Sequence, residues 1–154
     1  MPINRQNRTA FLGMIAWAEG TSTCTASRHN GYDVIVGGTV FTDFTDHPRR
    51  LVRLSPRLRS TAAGRYQLLE RYWDAYKKLL RLPDFSATSQ DAVAIRQIKE
   101  QRALDDVDAG RVGEAIAKCA NIWASLPGAG YGQREHNRDA LVAVYAQCGG
   151  EVAA

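Results

Sequence analysis

Cysteine is scarce in this sequence. Only three cysteines, Cys24, Cys119 and Cys148, are spread over the 154 residues, and no two of them form a Cys-x-x-Cys pair. An odd number of widely spaced cysteines does not indicate a disulfide framework, so we expect reduced thiols. None of the three histidines combines with them at a spacing typical of zinc ligands. We therefore expect no metal site and no cofactor.

Long apolar runs are also missing. No stretch approaches the length that spans a bilayer, and residues 1–8 lack the apolar core of a signal peptide. With 45% hydrophobic and 23% charged residues the composition is that of a globular protein, and 154 residues are enough to bury one core. We expect a single domain over residues 1–154, made and folded in the cytoplasm, without membrane insertion.

Acidic residues are outnumbered by basic ones. Sixteen Asp and Glu stand against 20 Lys and Arg, which gives a formal net charge of +4 and a pI near 9.1. An excess of positive charge is compatible with nucleic acid, a membrane surface or an acidic polymer such as cell wall as partner. Charge alone does not decide among them.

The chain is organised around an apolar helix that ends in a carboxylate. Residues 4–19 are predicted to be helical, with Asn4 or Asn7 as N-cap, and a buried stripe recurs at helical spacing from Phe11 to Ala18. Glu19 lies at the edge of that stripe, and Gly20 is a typical C-terminal breaker. Apolar neighbours and the negative end of the helix dipole both raise the pKa of a carboxyl in this position. Glu19 is therefore either a general acid or an ordinary solvated glutamate.

Two further segments precede the second helix. Residues 32–41 contain two β-prone runs around Gly37-Gly38, which predicts a hairpin with a two-residue turn. Residues 49–60 interleave arginines with aliphatic residues and contain a proline. We interpret this segment either as a mobile basic lip over a cleft or as a solvated loop. It contains no aromatic residue, which makes it a weak candidate for stacking nucleic-acid bases.

The remainder is predicted to be mostly helical. A second helix is expected over residues 64–82, capped by Ser60 or Thr61 and ended by Pro83, with residues 64–67 in its first turn. Further helices are expected over residues 90–101, 103–108, 112–123 and 135–147. The glycine-rich residues 126–133 are predicted to be a loop, and the tail at 151–154 is expected to fray.

Four stretches together resemble the lambda-type endolysins of bacteriophages. These stretches are Glu19-Gly20, the hairpin at residues 31–38, Ala63-Gly64-Arg65-Tyr66-Gln67, and residues 121–133. The similarity covers nearly the whole chain. It implies an α+β fold, mostly helical and lysozyme-like, in which a small β-hairpin or sheet forms one wall of a substrate cleft.

The resemblance also implies an activity, namely lytic transglycosylation of peptidoglycan at the β-1,4 bond between N-acetylmuramic acid and N-acetylglucosamine. Glu19 matches the catalytic position. A single carboxyl with a raised pKa is suited to this reaction because it first protonates the glycosidic oxygen and then takes the proton of the C6 hydroxyl that closes onto C1. A 1,6-anhydro ring results, and water is not the nucleophile.

Three other functions are considered. A muramidase that hydrolyses the same bond needs a second carboxylate, for which Asp33, Asp43 and Asp46 are the near candidates in sequence. We interpret them as structural, with Asp33 holding the hairpin or lying near Glu19. A basic nucleic-acid-binding domain explains neither Glu19 nor the glycine-rich loop. A wall-binding protein without catalysis would not need Glu19.

The resemblance also implies substrate contacts and partners. Tyr66 and Gln67 match the family's Gly-x-Tyr-Gln turn and are expected to place polar groups against the sugar. Tyr32, Trp73 and Tyr131 are candidates to pack on sugar rings, although the helical spacing of Trp73 favours the core. Further candidate substrate contacts are Asp33, Ser60 and Gln133.

The family's partners and location follow in the same way. The resemblance implies glycan strands of peptidoglycan as partner and no nucleic acid. We expect a monomer that stays in the host cytoplasm until a holin pore gives it access to the periplasm and the cell wall.

Overall fold

The computed structural model describes residues 3–128 and 136–154. Within these residues the regular elements are six helices and a two-stranded antiparallel sheet, an α+β fold as predicted. In chain order they are α1 (Ile3–Ala18), β1 (Val52–Ser55), β2 (Leu58–Ser60), α2 (Glu70–Leu80), α3 (Ala87–Glu100), α4 (Leu104–Ala109), α5 (Val112–Cys119) and α6 (Arg138–Gln147). None of the described helices is long and apolar enough to cross a bilayer.

The chain forms two compact units. One comprises Met1–Glu19 and Ala94–Ala154, and the other comprises Gly20–Val93, so a unit boundary falls inside α3. In the first unit α1 packs against α4 and α6, and α5 packs against α4 and α6. The predicted stripe of α1 is the reason, because Phe11, Met14 and Ile15 are fully buried. Each of these apolar side chains stabilises the fold by about 1.5–3 kcal/mol on burial.

The first unit also holds the chain's last residues. Asn7 was a candidate N-cap, but it lies inside α1, buried, and its Oδ1 accepts from the backbone N–H of Glu151 at 2.9 Å. The Tyr145 hydroxyl donates to the Glu151 carbonyl at 3.0 Å, and the N–H of Ala153 donates to the Gly110 carbonyl at 2.9 Å. The prediction that the tail frays is therefore wrong, because three hydrogen bonds hold it.

In the second unit the predicted hairpin is present but short. Val34 pairs with Val40 in a single antiparallel bridge, and the N–H of Ile35 donates to the Thr39 carbonyl at 2.7 Å. The turn therefore contains three residues, so the predicted two-residue turn is wrong, and two of the three, Gly37 and Gly38, have φ of 95° and 99°. Only glycine adopts such angles without strain, which is why the glycine pair correctly indicated a turn.

The regular sheet lies where a basic lip or loop was expected. β1 and β2 pair antiparallel, with Val52 opposite Ser60 and Arg53 opposite Arg59, and a bulge lies between Arg53 and Ser55. This arginine-rich hairpin corrects the interpretation of residues 49–60 as loop. The strands were missed although Val52 to Ser55 alternates apolar and polar residues, because the two runs have only four and three residues and Pro56 lies between them.

Helix α2 begins six residues later than predicted. Gly64 and Gln67 have left-handed φ of 86° and 53°, and Ala63 pairs with both Ile35 and Leu68, so residues 64–69 form a tight turn and not a helix. Thr61, one of the two predicted caps, lies nine residues before Glu70 in the sequence, but its Oγ1 still accepts from the N–H of Glu70 at 3.0 Å. Arg81, in the left-handed region, ends the helix before Pro83.

The remaining boundaries shift by a few residues. α3 starts at Ala87 and α5 ends at Cys119, whereas α4 ends at Ala109, with Gly110 as the predicted residue that terminates it. α6 starts at Arg138, and Asn137 Oδ1 caps it by accepting from the N–H of Asp139 at 2.7 Å. All three cysteines are unpaired: Cys119 is buried, Cys24 is half-buried and Cys148 is exposed.

Candidate active site

Glu19 directly follows the last residue of α1. Its N–H donates to the Ile15 carbonyl at 2.8 Å, and Gly20 then turns the chain away with φ of 79°. The residue as a whole is half-buried, but burial of the carboxyl raises the pKa of Glu19 to about 7. The charged form loses hydration there, which favours the protonated acid. A raised pKa is what the sequence predicted for a carboxyl at this helix end.

Ser125 lies beside this carboxyl, in the same unit. Its Oγ is buried and, within the described residues, makes no hydrogen bond of normal geometry. It is nevertheless close enough to Glu19 to lower the pKa of the carboxyl, against the larger effect of burial. Sequence reasoning did not identify Ser125 as a functional residue, although it lies inside the 121–133 stretch that carries the resemblance.

His136 is the second residue that sequence reasoning missed. Its backbone N–H donates to the Ser125 carbonyl at 2.9 Å, and its Nε2 lies 3.0 Å from the Ala18 carbonyl. Its ring also contacts Trp17, with centroids 4.7 Å apart. A carbonyl at a helix end lacks an intrahelical partner, so this ring nitrogen satisfies one of them next to Glu19.

Asp33 holds a turn of the second unit. Its carboxylate accepts from the Ser27 hydroxyl and, at 3.0 Å, from the N–H of Arg28. Ser27 Oγ in turn accepts from the N–H of Gly31 at 2.8 Å. Burial works against the charge, but these hydrogen bonds outweigh it and lower the pKa of Asp33. The carboxylate is therefore ionised and engaged, which agrees with the structural interpretation.

The other two candidate carboxylates are engaged as well. Asp43 accepts from both the hydroxyl and the N–H of Thr45, at 2.7 and 2.9 Å. Asp46 accepts from Arg49 at 2.7 Å and from Trp73 Nε1 at 2.8 Å. Burial would raise the pKa of Asp46, but the hydrogen bonds from Arg49 and Trp73 prevail and lower it far below its usual range.

The structure brings two predicted substrate contacts, Tyr32 and Tyr66, together. Both hydroxyls donate to Asp91, at 2.9 Å and 2.6 Å. The guanidinium of Arg65 lies over both rings, 5.2 and 5.7 Å from their centroids. Tyr66 is buried and Tyr32 is half-buried. Their hydroxyls are thus committed inside the unit, and only the Tyr32 ring keeps substantial exposed surface for a sugar.

Gln67 and Ser60 also have internal partners. Gln67 Nε2 donates to the carbonyls of Gly64 and Val34 at 2.9 and 3.3 Å, so its amide oxygen is the group left to meet a ligand. Ser60 Oγ accepts from the N–H of Ala62 at 3.1 Å. Ser60 also lines a surface pocket of about 460 Å³ that includes Leu51 and Arg59. The roles of Gln67 and Ser60 in substrate binding stay predictions.

Trp73 requires a correction. Its side chain is 0% exposed, and its ring packs against Phe85 with centroids 4.9 Å apart, so it cannot stack on a sugar. Its helical spacing correctly indicated the core. Tyr131 and Gln133 lie outside the described residues, and their predicted contacts stay predictions.

This fold, together with the desolvated carboxyl of Glu19 directly after the first helix, defines a lysozyme-like α+β protein. The family model described as Endolysin matches residues 9–152. The chain therefore belongs to the endolysin family, and the resemblance found in the sequence is confirmed.

Two endolysins and two solved structures are similar to this chain over nearly their full length. The chain is 61% identical over 151 residues to the endolysin of Escherichia phage lambda, covering 97% of this chain and 95% of the relative. It is 51% identical to the endolysin of Escherichia phage P2, covering 97% and 98%. Among solved structures it matches bacteriophage lambda lysozyme complexed with a chitohexasaccharide, with TM-score 0.93, 60% identity and 96% of each chain covered. Another structure of lysozyme from bacteriophage lambda matches with TM-score 0.89 and 58% identity, again over 96% of each chain.

Proposed function

We propose that this endolysin is a lytic transglycosylase that cleaves peptidoglycan between N-acetylmuramic acid and N-acetylglucosamine. The observation that carries the proposal is the single carboxyl of Glu19, whose pKa burial raises to about 7. A group with this pKa is partly protonated at neutral pH and can both donate and accept a proton. The glycan ligand of the similar lambda lysozyme structure supports the substrate class.

The reaction proceeds in two proton transfers through one residue. Protonated Glu19 donates to the glycosidic oxygen as the bond from that oxygen to C1 breaks, and positive charge develops at C1. The C6 hydroxyl of the same muramic acid then attacks C1, and the Glu19 carboxylate takes its proton. The acid is restored, a 1,6-anhydro ring is formed, and no water is consumed.

The state of the other carboxylates supports this mechanism over hydrolysis. A two-carboxylate glycosidase needs a second acid that is free to act as nucleophile or to activate water. Asp33, Asp43 and Asp46 are all bound by hydroxyl, backbone or guanidinium donors. These donors stabilise the ionised form of each of the three carboxylates, which therefore serves the local structure.

Product analysis tests the proposal. Purified glycan strands are digested in water enriched in ¹⁸O, and the muropeptides are measured by mass spectrometry, with Glu19→Gln as control. We expect products that are one water lighter than hydrolysis products and carry no ¹⁸O. Reducing ends that contain ¹⁸O would overturn the proposal in favour of a muramidase.

We further propose that the chain acts as a monomer that reaches the wall from the cytoplasm through a holin pore. The proposal rests on the family membership. Cells that express the chain alone should remain intact until chloroform or a co-expressed holin permeabilises the inner membrane. Lysis without either would contradict this route.

A further inference from the structure

The arginine-rich hairpin lies in a segment without negative charge. Between Asp46 and Glu70 the sequence contains no acidic residue but six arginines: Arg49, Arg50, Arg53, Arg57, Arg59 and Arg65. Arg49 is neutralised by Asp46, Glu70 and Asp74, and Arg65 lies among the tyrosines described above. Within the described residues, the other four form no ion pair, and all four are exposed.

Two of these arginines are directly opposed. Arg53 of β1 pairs with Arg59 of β2, which places both side chains on the same face of the hairpin. Like charges in this position destabilise a sheet, and a bound anion would remove that repulsion. The other face points inward, because Val52 and Leu54 both lie next to Gly37, 3.8 Å from the position that a Cβ of Gly37 would take.

The same hairpin exposes apolar side chains. Leu51 is 59% exposed, Leu54 42% and Leu58 48%, and Leu58 pairs with Ser55 at the end of the hairpin. Isolated exposed leucines need no explanation, but three within eight residues, interleaved with unpaired arginines, form an amphipathic surface. Within the described residues no other stretch of eight residues exposes three large apolar side chains.

This combination favours one class of anionic partner. Single-stranded nucleic acid is held by aromatic stacking together with positive charge, and the hairpin contains no aromatic residue. The phosphates of a duplex would engage the arginines but leave the leucines exposed to water. A glycan strand exposes mainly hydroxyl and amide groups, so it covers the leucines less well than a hydrocarbon boundary does. An anionic phospholipid surface offers phosphate groups to the arginines and an apolar boundary below the headgroups to the leucines.

We propose that the hairpin formed by β1 and β2 is a docking site for an anionic phospholipid bilayer. Arg53 and Arg59 bind the headgroup phosphates, and two leucines reach the boundary with the acyl chains: Leu51, which shares the face of Arg53 by strand alternation, and Leu58 at the end of the hairpin. The protein adsorbs to the surface and does not span the bilayer. This property is independent of the proposed reaction, because it involves neither Glu19 nor glycan.

Vesicle sedimentation of the full chain tests the proposal. We expect binding to vesicles of phosphatidylcholine with phosphatidylglycerol, little binding to phosphatidylcholine alone, and weaker binding at high salt, which screens the charges. The double variant Arg53→Gln/Arg59→Gln should lower the partition coefficient at least about tenfold. Leu51→Ser/Leu58→Ser should lower it severalfold.

Matched controls remove the same groups elsewhere. Lys78→Gln/Lys99→Gln deletes two exposed charges from helices, and Leu79→Ser/Val152→Ser deletes two exposed apolar side chains. Both should bind vesicles nearly as well as the unchanged protein, and circular dichroism should show all variants folded. Equal losses in the controls would overturn the proposal, as would leucine variants that bind like the unchanged protein. Binding of the hairpin to isolated sacculi but not to anionic vesicles would also overturn it.

Discussion

His136 Nε2 donates a hydrogen bond to the Ala18 carbonyl, 3.0 Å away, and thereby ties the chain after the glycine-rich stretch to the end of α1. Ala18 immediately precedes Glu19, so this contact fixes the backbone from which the acid projects. The contact between the rings of Trp17 and His136 holds the imidazole in the same place.

His136→Ala should therefore lower both stability and activity. Loss of the hydrogen bond and the ring contact is expected to cost about 1–2 kcal/mol in the free energy of unfolding. Urea denaturation measures this, and lysis of chloroform-treated cells measures the activity. His136→Gln, which retains a side-chain N–H donor, should recover part of the loss. An alanine variant with unchanged stability would contradict the role of this contact.

Activity should fall as the pH rises through about 7. The first step needs the protonated form of Glu19, and burial raises the pKa of this group to about 7. The rate of glycan cleavage measured against pH should show its alkaline limb there, and Glu19→Gln should show almost no cleavage at any pH. A rate that is flat from pH 5 to 9 would contradict this assignment.

The same carboxyl should make stability depend on pH. The pKa of Glu19 is about 7 when folded and about 4.5 in the unfolded chain, so the unfolded state loses its proton first as the pH rises. This contribution to stability is complete below about 4.5 and declines as the pH rises toward 7. Glu19→Gln should thus be more stable than the unchanged protein at pH 8, by up to about 3 kcal/mol. Little difference is expected near pH 4, and equal stability at both values would contradict the assigned burial.

Removal of the Ser125 hydroxyl should raise the pKa of Glu19 further. The hydroxyl lowers this pKa by favouring the carboxylate, so Ser125→Ala leaves the charged form less stabilised. NMR titration of the ¹³C-labelled glutamate carboxyl measures the shift directly, and the alkaline limb of activity should move up with it. Ser22→Ala, at an exposed serine, provides the control. A lowered or unchanged pKa would contradict the assigned contact.

Gly110→Ala should destabilise the first unit strongly. A Cβ at Gly110 would lie 2.3 Å from the Glu151 carbonyl oxygen, and the residue has φ of 77°. Gly149→Ala is the matched control, because Gly149 has φ of 95° but no atom within 4 Å of the added Cβ. The control should lose about 1–2 kcal/mol from backbone strain alone. Thermal unfolding should show a clearly larger loss for Gly110→Ala, and equal losses would contradict close packing of the tail.

The sequence predicted those elements whose local pattern agrees with their packing. The stripe of α1 and the glycine after it indicate both the buried face and the end of the helix, and with them the position of Glu19. The helical spacing of Trp73 likewise indicated the core. Residues 64–69 were misassigned because Gln67 adopts a left-handed φ, which is uncommon for a glutamine and cannot be predicted from its residue type.

Long-range contacts account for what the sequence could not predict at the site. Ser125 and His136 follow Glu19 by more than a hundred residues, and neither belongs to a local pattern that points to a carboxyl. The hydrogen bonds from Tyr32 and Tyr66 to Asp91 could not be predicted for the same reason, since the aspartate lies on α3, far from both tyrosines in sequence. The family resemblance and the aromatic residue types indicated sugar contacts, whereas the fold uses these hydroxyls internally.

The distribution of the three thiols makes the unaltered protein suitable for site-selective labelling. Burial raises the pKa of Cys119 to about 12, so this thiol should not react with a maleimide dye under conditions that modify Cys148. Cys148 belongs to the first compact unit and Cys24 to the second. Dyes on these two native positions would therefore report on each unit separately, without any substitution, when glycan is added.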